Sequence, residues 1–275
     1  TLDKFVDYFV IVESKFTHSG EYRKLKFNHQ KFGKFKKKII YLVYEEESKK
    51  IKIINNKEDG FEKTKKYIFN AICRENGQRN YIEKGLIEAK DNDIILISDV
   101  DEIPNLENID LTKVKNKIII FQQKMFYYKL NLLYKNFFWH GTKACKKKHL
   151  ISPQWLRNIK AKNYPKWRVD LFFSKKKYTD LFIIKNGGWH FTYLKNPEDL
   201  EKKLLNFAHH YEFEKSGLKV NDIKKFIAEK RVVYDHAIDQ KGYKWSGKSI
   251  LEKINNDFLP TYISSNLDKY RNWLD

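Results

Sequence analysis

Unbroken apolar runs separated by polar, charge-rich segments dominate the pattern of this chain. Ile94-Ile95-Leu96-Ile97 is one such run, bounded by Asp91-Asn92-Asp93 and Ser98-Asp99. A short apolar run between polar turn residues is what a strand buried on both faces requires. Tyr8 to Val12, Lys38 to Tyr44, Lys117 to Phe121 and Phe182 to Ile184 repeat the pattern with β-branched and aromatic residues, and each predicts a strand. Phe61 to Ala89 instead places Tyr67, Ile68, Ala71 and Ile72, then Ile82, Leu86 and Ala89, at spacings of three and four. That period predicts helix, divided in two near Gly77, with Asn80 capping the second piece.

Further along, Met125 to His140 is an aromatic stretch whose rings belong mainly to a core, with Trp139 and His140 as candidates to face a sugar. Asn196-Pro197-Glu198-Asp199 reads as a helix start, followed by an apolar face of Leu200, Leu204, Phe207, Ala208 and Tyr211. Another helix is expected from about Asn221 or Asp222, and a short amphipathic segment from Tyr262 to Leu274. Strands alternating with helices predict an α/β fold with a mixed, mostly parallel sheet flanked by helices and a helical C-terminal region.

Composition narrows this little. The 275 residues hold only 11 Gly and 5 Pro, with no linker-like tract, so a single domain over 1–275 is expected. Two cysteines, Cys73 and Cys145, are too few for a disulfide framework and favour a reducing, cytoplasmic setting. No apolar run is long enough to span a membrane. The net charge of +20 invites a polyanion, whether nucleic acid, an anionic membrane surface or a phosphorylated donor. The lysines are spread along the whole chain, however, which reads mostly as a solvated face.

The candidate chemistry lies at the end of the Ile94 run. Asp99-Val100-Asp101-Glu102 places three carboxylates where a parallel sheet presents its ligand crevice, and Pro104 is expected to end the strand. The ordinary reading of such a cluster is a polar turn. The sharper one is a hard-cation site, because adjacent carboxylates repel and Mg2+- or Mn2+-type sites use one or two carboxylates plus substrate phosphates. Arg79 is a candidate phosphate or nucleobase anchor.

Taken together, Phe9 to Ser14 with Thr17-His18-Ser19-Gly20, Arg79-Asn80, Ile97 to Pro104, Phe138-Trp139, Gly188-Trp189-His190-Phe191 with Pro197-Glu198, and Leu259-Pro260 with Tyr262, Asn266 and Tyr270 resemble glycosyltransferase family 17. This group includes the enzymes that add a bisecting N-acetylglucosamine to N-glycans. The resemblance implies a GT-A (Rossmann-like) fold, with a nucleotide-sugar half at about 1–115 and an acceptor half with the helical C-terminal region at about 116–275. It implies a UDP-sugar donor, most simply UDP-N-acetylglucosamine, a glycan acceptor, Mn2+ or Mg2+, and inversion at the anomeric carbon. Family members carry a further apolar and acidic segment, forming a first strand, ahead of the position matching Thr1, and the stretch from Asp235 to Ser249 departs from the family pattern.

On this reading Asp101 holds the metal, Asp99 holds it or the ribose, and His190, after Gly187-Gly188, completes the metal set. Glu13, Arg79 and Asn80 contact the nucleoside. Inversion needs a base for the acceptor hydroxyl, and Asp170 is the candidate, with Glu102 as the second acid. Structural roles compete throughout: a hydrogen-bonded imidazole for His190, an ordered turn for Glu102 and helix capping for Glu198. Two other functions compete with sugar transfer, a basic nucleic-acid-binding protein and a metal-dependent phosphodiesterase or nuclease built on the same acids. Neither carries a signature of its own, and nucleic acid is not expected as a partner.

Overall fold

The computed structural model describes residues 1–165, 167–171, 173–239 and 242–275. In chain order its elements are β1 (Phe9–Ser14), β2 (Ile39–Tyr44), α1 (Gly60–Asn80), β3 (Ile94–Ile97), β4 (Glu102–Pro104), β5 (Ile118–Phe121), β6 (Gln123–Tyr127), β7 (Leu132–Trp139) and β8 (Lys143–Lys146). They continue as α2 (Pro153–Asn158), β9 (Leu181–Ile184), β10 (Gly188–Thr192), α3 (Pro197–Leu204), α4 (His210–Ser216), α5 (Val220–Ala228), β11 (Glu252–Lys253) and α6 (Thr261–Ser264). The fold is thus mixed α/β. The chain divides into two units, one of Val6–Glu88 with Lys195–Lys225, the other of Thr1–Phe5, Ala89–Leu194 and Phe226–Asp275.

In the first unit β1 and β2 pair in parallel, from Phe9 opposite Ile39 to Ser14 opposite Tyr44. α1 starts at Asp59, whose carboxylate accepts from the N–H groups of Phe61 and Glu62 at 2.8 and 2.9 Å. The helix runs through Gly77 without a break, contrary to the expectation from propensity. The reason is tertiary: a Cβ on Gly77 would collide with the Tyr44 phenol, so the glycine lets the helix lie close to β2. Gln78 Nε2 also donates to the Val12 carbonyl at 2.9 Å, tying the same turn to β1. Asn80 has helical backbone angles, and its side chain makes no capping hydrogen bond to the 3-10 turn that follows. It does not cap a second α-helix, because α1 runs unbroken to Asn80 and only the 3-10 turn Tyr81–Gly85 follows.

Glu13, the residue before the last of β1, is 7% exposed. Its carboxylate accepts from the N–H groups of Lys26 (2.7 Å) and Phe27 (3.0 Å) and from the Tyr41 hydroxyl (3.0 Å), and Arg23 lies 3.7 Å away. Burial alone would raise its pKa. The two amides, the phenol and the guanidinium together outweigh burial, and the Glu13 pKa is lowered from its ordinary 4.5. Burial and the Glu13 charge push the Tyr41 phenol up to about 12.

α3 begins as its sequence requires, with Asn196 accepting from Asp199 N–H at 2.7 Å and Pro197 in the first turn. The single apolar face expected through Tyr211 is shared between two helices, since α3 stops at Leu204 and the chain turns before α4. Tyr211 stacks on Tyr67 of α1 at 5.0 Å and His210 meets the same ring edge-on at 4.9 Å, which docks α4 on α1. α4 closes on Gly217 at φ 72°, the left-handed position that favours glycine.

The second unit holds two sheets, with strand orders β3-β8-β5-β9 and β11-β7-β6-β10-β4. The expectation of a mostly parallel sheet is corrected here. β5 with β9 and β6 with β10 pair in parallel, whereas β3 with β8, β8 with β5, β6 with β7, β7 with β11 and β10 with β4 are antiparallel. Short connections such as that between β6 and β7 permit only antiparallel pairing, which a parallel crossover of a dozen residues would not. β3 lies at the edge of its sheet and alternates between half-buried and buried residues, while β5 is buried throughout. Pro104 does not end the extended chain. It lies in β4, at the edge of the other sheet, where a missing N–H costs no ladder bond.

The aromatic stretch is mainly core, as its pattern implies: Met125, Phe126 and Tyr127 are fully buried, while Phe138 is exposed. Phe126 and Phe191 pack at 5.2 Å beneath Leu259 and Ile263 of the tail. The C-terminal region is less helical than expected. Among the described residues between α5 and α6 the regular elements are β11 and a 3-10 turn, Asn256–Phe258, and buried hydroxyls secure this stretch: Tyr127 donates to the Tyr234 carbonyl at 2.7 Å and Tyr128 to that of Arg231 at 2.9 Å. Asp235, 2% exposed, accepts from Tyr134, from Ser249 at 2.6 Å and from Ala237 N–H at 3.0 Å.

Two measurements check this account. Gly77→Ala, which would stabilise an isolated helix, is expected to destabilise this one by about 1–3 kcal/mol in denaturant unfolding through overpacking against Tyr44. Glu13→Gln is expected to cost about 2 kcal/mol at neutral pH. Because the folded-state pKa of Glu13 lies below its unfolded value, that contribution is complete above pH 4.5 and vanishes as the pH falls through the folded value. Unfolding titrations of the two proteins should therefore converge in acid.

Candidate functional site

After β3, Ser98 hydrogen-bonds Thr142 at 2.8 Å, and the chain turns through Asp99, Val100 and Asp101 with Val100 fully exposed at the tip. Glu102 closes the turn in both directions. Its N–H donates to the Asp99 carbonyl and its Oε2 accepts from the Asp99 N–H, both at 3.0 Å. The Glu102 side chain is fully buried. Oε1 also accepts from Trp139 Nε1 at 2.6 Å and Arg157 Nη2 at 2.9 Å, and Oε2 from Arg157 Nη1 at 2.8 Å and Thr142 Oγ1 at 3.3 Å. A buried carboxylate needs this degree of compensation to stay ionised.

Arg157 reaches the cluster from α2, which Ser152 caps by accepting from Trp155 N–H at 3.1 Å. Lys143, 5% exposed, donates to the carbonyls of Arg157 and Ile159 and holds the end of α2 in place. The guanidinium also holds Asp99 Oδ2 at 2.6 Å. Gly141 is required here, since a Cβ would collide with Glu102 and the Trp139 indole.

His190 arrives from the other side, on β10, with Glu102 of β4 as its register partner. Gly188, at φ 130°, lets β10 approach this closely, because a Cβ there would strike the Ile103 carbonyl. The imidazole is 6% exposed, packs on Trp139 at 4.9 Å between ring centroids, and brings Nε2 to 3.4 Å from Asp101 Oδ1. The Phe191 N–H donates to the Asp101 carbonyl at 2.8 Å, so the same strand fixes both residues. His190 Nδ1 is buried and has no hydrogen-bond partner.

The structure therefore brings Asp99, Asp101, Glu102 and His190 together, and sorts them. Asp99 and Glu102 are engaged by Arg157, whereas Asp101 and His190 face each other. Asp170 lies elsewhere in this unit, in the short 3-10 turn Val169–Leu171. It is paired with Arg168 at 2.8 Å and Lys177 at 2.5 Å, and these hydrogen bonds lower its pKa to about 2. His140 lies 3.3 Å from Gln122, and burial, then the Lys143 charge, lowers its pKa from 6.5. In the other unit, Glu13 organises the loop described above. Arg79 lies in the last turn of α1 rather than beside a helix start, 2.7 Å from Glu75, with Asn80 next to it. Glu198 pairs with Lys224 at 2.8 Å.

Arg157 and Lys143 were missed from the sequence, and nothing local marks them. Each is one basic residue among 55, and only folding shows where it is buried. His236, 5.9 Å from Trp139, was also missed, because only folding brings the two rings together.

The donor chemistry of Asp101 and His190, an oxygen and a nitrogen ligand, fits a divalent cation, and the orphaned Nδ1 marks an imidazole whose hydrogen bonding is incomplete. Among the described residues no group of three or more His, Cys, Asp or Glu is placed to hold a metal ion. An ion held by these two side chains alone would keep substrate phosphates and water as its further ligands. Arg157→Met is expected to cost about 3–5 kcal/mol in unfolding experiments, because it strands the Glu102 carboxylate in the interior.

Comparison with curated proteins and with solved structures finds no match. A family model does match, over residues 1–275, and its description is glycosyltransferase family 17. With the acidic turn and the Gly-Trp-His strand meeting around the Trp139 indole, and the match spanning the whole sequence, the chain belongs to glycosyltransferase family 17.

Proposed function

We propose that this glycosyltransferase moves N-acetylglucosamine from UDP-N-acetylglucosamine to a hydroxyl of a glycan acceptor, with inversion at the anomeric carbon and with Mn2+ or Mg2+ bound. The observation that carries the reading is the 3.4 Å approach of Asp101 Oδ1, in the turn after β3, to His190 Nε2 on β10. Asp101 and His190 are the residues that would hold the cation. When bound, such an ion offsets the charge of the departing diphosphate.

The remaining residues act by position and charge. Arg157 orients the Asp99 carboxylate, which is 36% exposed and so able to meet a ribose or a phosphate-bound ligand on its outer side. Glu102, with both oxygens occupied, belongs to positioning: it fixes the turn, the guanidinium and the Trp139 indole at once. The indole in turn backs the His190 ring and limits its rotation. Asp170 is the proposed proton acceptor for the sugar hydroxyl. With a pKa of about 2 it is ionised at any physiological pH, and a base this weak takes the proton only when bond formation to the anomeric carbon is well advanced.

Sugar transfer from UDP-N-acetylglucosamine with Mn2+ present is the direct test. Asp101→Ala is expected to lower turnover by at least about a hundredfold and to remove the rise in melting temperature that donor plus Mn2+ produces in the parent protein. An unchanged rate in that variant would overturn the role of Asp101.

A further inference from the structure

Between Glu21 and Glu45 the chain carries no acidic residue, yet it holds Lys24, Lys26, Lys31, Lys34, Lys36 and Lys37 with exposed side chains. Elsewhere many basic residues are neutralised at short range, as Lys15 is by Glu45, Lys66 by Glu58 and Lys135 by Glu252. These six form no ion pair among the described residues. Apolar groups are exposed along the same segment: Tyr22 (69%), Phe32 (41%) and Leu25 (38%). We infer that residues 22–37 form a docking surface for an anionic phospholipid bilayer.

The segment is shaped before any partner arrives. The N–H groups of Lys26 and Phe27 are fixed on Glu13, and Arg23 Nε donates to the Ser14 carbonyl at 2.8 Å, so the loop base is tied to β1. Phe27 packs on Tyr41 at 4.8 Å, giving the segment an inner apolar side, and the lysines lie on the side left to solvent. His29–Lys38 then forms 3-10 turns kinked at Phe32. In such turns side chains three residues apart eclipse, which puts Lys34 and Lys37 in one row beyond the kink.

Basic side chains interleaved with exposed leucine and aromatic groups are the chemistry of the bilayer interface. The ammonium groups meet anionic headgroups, and the apolar groups enter the headgroup–acyl boundary. A nucleic-acid strand fits less well. One face of Phe32 is already stacked on Phe27 at 5.3 Å and 10°, and Leu25 offers no ring on which a base could stack. Each lysine near an anionic surface is worth about fivefold in partitioning at physiological salt, so this cluster suffices for reversible attachment without a membrane-spanning helix. No described helix is long and apolar enough to span.

Co-sedimentation with vesicles of phosphatidylcholine, with or without phosphatidylserine, tests this and needs no enzymatic activity, so its outcome is independent of the sugar-transfer reading. The protein is expected to bind only the serine-containing vesicles. Lys24→Glu, Lys31→Glu, Lys34→Glu and Lys37→Glu combined should reduce partitioning by about a hundredfold or more. An equal charge change at Lys49, Lys175, Lys176 and Lys225 should alter it by less than about threefold, and Leu25→Ser should remove the part of binding that survives added salt. The inference is overturned if no vesicle is bound, if both quadruple variants lose binding equally, or if a single-stranded oligonucleotide binds more tightly than vesicles through the same lysines.

Discussion

The compensation of one buried carboxylate is the constraint on which the second unit depends. Glu102 is fully buried, and an ionised carboxylate out of water is tolerable only when its lone pairs are met by donors. The donors come from four places: the turn just before it (Asp99 N–H), the end of β7 (Trp139), the residue ahead of β8 (Thr142) and α2 (Arg157). A change in the position of any of these would leave a buried charge uncompensated. The acidic turn is therefore held rigid by the cost of its own buried member, and Asp99 and Asp101 inherit that rigidity.

Rigidity bought in this way serves the exposed acids. Asp101 has its carbonyl fixed by Phe191 N–H and its carboxylate opposite His190, and His190 is confined by the Trp139 ring. Trp139 thus does two things with one side chain, donating to Glu102 through its nitrogen and supporting His190 through its ring face. Glycine makes room on both sides, Gly141 beside the indole and Gly188 where β10 passes β4. Preorganised groups lose little freedom when a ligand arrives, which is the advantage of building a site on strands rather than on a loose loop.

Charge is handled differently at the surface. Most exposed ion pairs along the chain are of the kind that contributes little to stability. In a +20 protein the segment from Tyr22 to Lys37 stands out by joining lysines that form no ion pair among the described residues to exposed Tyr22, Leu25 and Phe32.

What the sequence by itself determined was local. Runs such as Phe9–Ser14, Ile39–Tyr44 and Ile118–Phe121 were legible as strands because β-branched and aromatic residues at those densities have no other stable use, and Asn196-Pro197 was legible as a helix start because capping is settled within four residues. The acidic turn and the Gly-Trp-His strand were linked in the sequence only through the family resemblance, since each block is weak evidence by itself. Strand partners were not legible, since hydrogen-bond direction between distant segments leaves no local trace, and a mixed sheet expected to be mostly parallel proved to be separate sheets in which antiparallel pairs predominate. Gly77 and Pro104 reversed their usual meanings, the first because Tyr44 needed the space, the second because β4 is an edge. Which acid is buried, which arginine answers it and which histidine meets Asp101 were decided only by tertiary structure, because burial and pairing of charge are properties of the assembled interior and of no single stretch of chain.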